Sequence, residues 1–339
     1  MFTKALFLTA LAALSYSPAP AALRAQQETP SPALLVLSKG EQMLKIVDPA
    51  TGQVVGQVPS GPDPHEVIAS ADGTRAYITN YGGDRYHTLT VVDLVARENL
   101  PTVDLGELSG PHGIEFAGGK VWFTSEGAEA VGSYDPVSSR VQREFATGQE
   151  GTHMLIVASD QSRIVTTNMR SGTVSILERD TAAGGVPKPA DWRGTVVAAG
   201  GGVEGFDVSP DGKEIWAANG RDGTISIIDP ATKRVVQTLD AKVGSANRLK
   251  FTPDGTRVFV SMLRSPDVAV FDVASRAELK RIPVGRGAAG ILVQPDGAWV
   301  YVACTPDDYI AIIDPHSLEV VGKIEAGRQP DGLAWAVRR

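Results

Sequence analysis

A single cysteine, Cys304, stands in 339 residues, which excludes an internal disulfide and a Cys-x-x-Cys-His haem attachment. With no cysteine near the N-terminus, there is no lipid attachment site there either. Basic runs are also missing, and the net charge is −7, so nucleic acid is not an expected partner. The chain has no Gly-x-Ser-x-Gly, no phosphate-binding loop and no EF-type calcium loop. No apolar run reaches membrane-span length. The longest N-terminal run, residues 5–16, follows Lys4 and precedes small residues ending at Ala21 or Ala25. That order reads as a secretory signal peptide. Residues 1–25 are therefore set apart, and 26–339 are expected to form one domain. The expected product is soluble and exported, periplasmic or secreted, and monomeric.

Glycine (36) and proline (22) are plentiful, which suits many tight turns. A repeat explains them. "SADG", "SPDG", "TPDG" and "QPDG" at 70, 209, 252 and 294 each precede a short apolar strand. A second strand then ends in an acidic turn, as in "ISIIDPAT" (225–232). From Asp48 through Asp93, Asp135, Asp229, Asp272 and Asp314 the steps are 45, 42, 94, 43 and 42. The 94 is two units, with Glu178 in the intermediate slot and an insertion at 180–192. Four short alternating strands per unit predict blades of an all-β, seven-bladed β-propeller. Six blades run from about 65 to 328. The seventh joins three N-terminal strands (33–58) to one C-terminal strand (330–337).

"YITN" (77–80), "WAAN" (216–219) and "YVAC" (301–304) resemble the name-giving strand of the YVTN-repeat, or YncE-like, propeller family. "PHGI" before "WFTS" resembles one streptogramin-lyase-type repeat. The first resemblance implies the fold over the whole mature chain; the family includes binding modules and enzymes alike. Tryptophans 122, 216 and 299 recur in or beside these strands and are expected in the inter-blade core. A buried, inert thiol is expected for Cys304.

Stacking the units aligns one position into a column: His65, His112, His153, Glu204, Asn247, Ala289 and Asp331. It begins each inner strand and faces the channel mouth. Three of the chain's five histidines fall there, on consecutive blades. Imidazoles with a carboxylate or water suit one zinc-like transition-metal ion, so His65, His112, His153 and Glu204 are expected ligands. The competing account is a Pro-His turn inherited by duplication, with the histidines bonded to neighbouring blades. A second column, Arg170, Arg221 and Arg264, follows the name strand by two residues and is suited to carboxylate or phosphate, with Arg248, Asn247 and Asp331 beside it. Pairing with Asp222, Asp267 or Asp307 would instead absorb those arginines. Glu204 and Glu126 are the expected general bases; Glu66 and Glu115 lie nearby. Tyr81, Tyr86 and His87 belong to a longer loop that lines or covers the mouth.

Two functions follow as expectations. One is a metal-dependent lyase or hydrolase acting on an anionic small molecule. The other is a non-catalytic periplasmic binding or scaffold propeller for a protein, peptide or small ligand.

Overall fold

The computed structural model describes residue 1 and residues 28–83, 85–180 and 191–339. The leader-like segment and most of the 180–192 insertion lie outside them. Among the described residues, twenty-eight strands, β1 to β28 along the chain, form seven antiparallel sheets of four. The inner strands are β4 (Pro64–Ala69), β8 (Pro111–Ala117), β12 (Thr152–Val157), β16 (Val203–Val208), β20 (Ala246–Phe251), β24 (Ala288–Val293) and β28 (Pro330–Ala336). Each touches the inner strand of the next blade, β28 against β4 included. The chain is a seven-bladed β-propeller.

The ring closes in one blade of order β28-β1-β2-β3, with β1 (Ala33–Ser38), β2 (Met43–Asp48) and β3 (Gln53–Pro59). Ala33 pairs with Ala336 and Leu35 with Ala334, so both chain ends are tied down and no open sheet edge is left at the junction. Blades are numbered 1 to 6 from β4, and this closing blade is 7. Second strands such as β1 and β17 (Ile215–Asn219) are buried along their whole length, because both faces meet neighbouring blades. Outer strands such as β19 (Arg234–Leu239) are largely exposed. The acidic turns are Asx turns: Asp229 accepts from the Ala231 N–H at 2.7 Å and Asp314 from His316 at 2.8 Å. Trp122 and Trp216 are fully buried between blades. Trp299 is not; it precedes its strand on the turn face and is 38% exposed. Cys304 is buried, and burial pushes its thiol up to about 11.

Every inner strand is bulged at the same place. Pro64 pairs with Asn80 but Val67 with Ile78, so three steps on β4 oppose two on its partner. The same shift recurs on β8, β12, β16, β20, β24 and β28. A bulge re-aims side chains, here the second and third residues of each strand. The third residue is glycine at 113, 205, 290 and 332, where a Cβ would meet the next blade's backbone: at Gly290, the Asp331 carbonyl lies 2.2 Å away.

A hydroxyl clamps the bulge from the second strand. Thr124 accepts from the Gly113 N–H at 2.9 Å and donates to the His153 carbonyl of the next blade at 2.5 Å. Thr79 does the same for Glu66 and His112, Thr167 for Met154 and Glu204, and Ser261 for Arg248 and Ala289. The "T" of the repeat therefore fixes the backbone from which the column residues project. Thr124→Val keeps the shape but strands a buried N–H and carbonyl. Chemical denaturation should read a loss of about 1–3 kcal/mol.

Candidate functional site

All seven column residues line one axial cavity of about 480 Å³. The bulge places them there; a regular strand would point alternate residues into the blade. A further column contributes to the same cavity. Lys39, Tyr81, Met169, Leu263 and Thr305 each stand one residue past a second strand and line it. Glu126 holds the same slot on blade 2 and is buried. Sequence reasoning inspected the residue two past the strand and so missed Lys39, Met169 and Leu263; the signal lay one step earlier.

The histidines form a stack. Ring centroids are 3.7 Å apart for His112 and His153 and 4.8 Å for His65 and His112, with Tyr81 set 4.7 Å from His65 and 4.9 Å from His112. Glu126 organises one end. One oxygen accepts from His153 Nδ1 in a short contact, and the other accepts from the Tyr81 hydroxyl at 2.9 Å and lies 3.5 Å from Arg170. His153 Nε2 lies 3.4 Å from Glu204, without hydrogen-bond geometry. Burial opposes a charge on His153, but the Glu126 bond and Glu204 outweigh it and push the imidazole up to about 9. His112 goes the other way: burial and then the neighbouring His153 charge hold it well below the usual range. His65 is pushed down to about 4 by burial and by Lys39, whose ammonium lies 3.1 Å from both ring nitrogens. Three buried polar atoms at the cavity, His112 Nδ1, His153 Nε2 and Asn247 Oδ1, have no hydrogen-bond partner.

Arg248 is committed elsewhere. On blade 5 it pairs with Glu66 on blade 1, across the axis, and its Nη1 lies 3.4 Å from Glu204. Arg248 thus lines the cavity with its guanidinium already paired to carboxylates. Glu66 and Arg248 sit at the bulge position that is glycine in four other blades. At a common deeper level of β8, β16 and β20 lie Glu115, Asp207 and Lys250, with burial raising both carboxyls, Glu115 to about 7. His87 lies 3.5 Å from Asp104 and is not among the cavity-lining residues.

The arginine column does converge. Arg170, Arg221 and Arg264 line a second cavity of about 370 Å³ that shares Met169, Glu204 and Leu263 with the first. The alternative partners are taken: Asp222 accepts from the Gly201 N–H, Asp267 from Ser265, and Asp307 pairs with Arg286. Among the described residues, no carboxylate pairs with Arg221 or Arg264.

Also among the described residues, no three His, Cys, Asp or Glu side chains form an ion-holding group. The stacking explains why. The His112 and His153 planes are inclined by only 30° at 3.7 Å, so no ion at bonding distance lies in both ring planes, where imidazole lone pairs point. In these positions His65, His112, His153 and Glu204 line the cavity without gathering around a common point.

No family model matches the chain. Seven-bladed β-propeller protein Rv1057 of Mycobacterium tuberculosis is 24% identical over 143 residues, 41% of this chain. The match spans only 36% of that relative's own length. A protein of unknown function from Desulfotomaculum acetoxidans superposes with TM-score 0.72 at 15% identity, over 91% of this chain and 99% of that one. The Pseudomonas aeruginosa periplasmic gluconolactonase gives 0.69 at 19%, over 91% and 99%. Kuenenia stuttgartiensis hydrazine synthase gives 0.70 at 18%, over 88% and 99%. These likenesses establish the fold. No helix among the described residues is long and apolar enough to cross a membrane.

The opposed histidine shifts set a pH signature. His153, raised from 6.5 to about 9, contributes stability in full below 6.5 and loses it as pH rises through 9. His65, lowered to about 4, contributes above 6.5 and loses it as pH falls through 4. Urea midpoints against pH should therefore fall in both directions from near 6.5. His153→Gln should flatten the alkaline limb and His65→Gln the acid limb; unchanged limbs would contradict these assignments.

Proposed function

We propose that this propeller is an exported YVTN-repeat-type enzyme that acts on a small anionic molecule at the axial cavity by acid–base chemistry. The reaction class is hydrolysis or lyase-type elimination. The observation that carries this reading is the stacked His112–His153 pair, two imidazoles in contact whose surroundings drive their proton affinities apart. Groups separated in this way are suited to the base and acid roles of one reaction. Neutral His112 takes the proton from a water or from an activated carbon. Protonated His153 donates to the departing oxygen. Glu126 touches no substrate in this scheme; it positions His153 and sustains its charge, with Tyr81 holding the second carboxylate oxygen. Arg221 and Arg264, without carboxylate partners, receive the anionic group. The gluconolactonase sharing this fold opens a lactone, a reaction such a pair would serve.

A panel of carboxylate-bearing lactones and esters tests the reading. For any substrate turned over, His112→Ala should lower kcat by about 10²- to 10⁴-fold. The rate should be bell-shaped in pH, with its alkaline limb near 9, and Glu126→Gln should move that limb downward. Turnover that survives loss of both histidines sinks the acid–base role. Binding without turnover by the parent favours the binding-module reading, and activity that appears only on added zinc restores the metal reading. Export has its own check: protein recovered from the periplasm or medium should begin near residue 22 or 26.

A further inference from the structure

The two cavities adjoin, and the residues between them limit any ligand that reaches both. Their shared wall consists of Met169, Leu263 and Glu204. Glu204 meets His153, Asn247 and Arg248 through one carboxylate oxygen, and the carbon surfaces of Met169 and Leu263 complete the saddle between the arginine cleft and the histidine stack. Leu263 is 44% exposed on a face otherwise rich in polar groups.

The apolar surface continues past the saddle. In the seven-fold column only blade 6 presents a hydrocarbon, Ala289, opposite the histidine blades in the axial cavity. Pro306 lies beside it, held close because Gly287 has no Cβ; one built there would stand 2.5 Å from the Pro306 ring. Leu263, Ala289 and Pro306 form an apolar strip on blades 5 and 6, beside Asn247, Arg248 and Thr305 of the same blades, while blades 1 to 4 carry the histidines and Glu204.

Resting on the anion reading above, we propose that the ligand is bipartite. A carboxylate or phosphate sits among Arg170, Arg221 and Arg264, an apolar spacer crosses Met169 and Leu263, and the reacting group lies over the histidines. A polyhydroxylated sugar acid fits this path poorly. Those of its hydroxyls that lie against Leu263, Ala289 and Pro306 would lose water, a desolvation cost that an alkyl or aryl chain avoids. An acyl or aromatic carboxylate instead removes exposed carbon surface from water on both sides.

Hexanoate and gluconate test this directly, being six-carbon monoanions that differ in their hydroxyls; neutral hexanamide reports the contribution of charge. In calorimetric titrations the parent should bind hexanoate about tenfold more tightly than gluconate, a factor worth about 1.4 kcal/mol, or roughly two buried methylenes. Leu263→Asn should erase that preference by weakening hexanoate alone, and Leu263→Met should keep it. The Arg221→Ala/Arg264→Ala pair should weaken both anions and leave hexanamide unchanged. If gluconate binds as well as hexanoate, or Leu263→Asn leaves the ratio intact, the bipartite ligand is overturned, while the anion site stands as long as the arginine pair responds. If neither anion binds saturably, or the arginine pair has no effect, both readings fall.

Discussion

One backbone irregularity, repeated seven times, governs the axis of this protein. Each inner strand carries an extra residue at its second and third positions, so the second side chain leaves the blade's alternation and lines the channel. In four of the seven blades the distortion is bonded on both sides: a threonine or serine hydroxyl takes the freed N–H of its own blade and gives its proton to the next blade's carbonyl. Glycines at the third position of four inner strands let the next blade's backbone approach closely. Blade packing and site geometry are consequences of the same few atoms.

Electrostatics then differentiates residues that the repeat treats alike. His112 and His153 occupy equivalent positions, yet one is held neutral and the other charged. The difference comes from the neighbouring column, where blade 1 sets Tyr81 beside His112 and blade 2 sets Glu126 against His153. A buried carboxylate against His153 stabilises the imidazolium, and that charge, 3.7 Å from the His112 ring centroid, disfavours a second one. Glu66 and Arg248 use the same logic. Neither charge tolerates burial alone, so each secures the other across the ring.

Most of the architecture was legible because a propeller writes its fold as a period. Aspartate spacing, apolar second strands and the split terminal blade all follow from that register. The column of seven was legible for the same reason, and so was the arginine column. The site was less so. The stacking of the histidines, which leaves no common point for an ion, depends on ring orientation, and residue spacing does not encode it. The commitment of Arg248 to Glu66 joins residues 182 positions apart. No local pattern announces that contact. Trp299 shows the converse limit, since a one-residue offset from its strand moves it from the core to the surface.

By itself the sequence determined the number of blades, the closure of the ring by both chain ends, and which residue types meet at the axis. Those are properties of a repeat, and a repeat is visible in one dimension. Tertiary structure decided which imidazole carries a proton, which arginines remain without a carboxylate, and which wall of the cavity is carbon. Each of these turns on distances and burial between side chains of different blades, and such quantities exist only once the ring has closed.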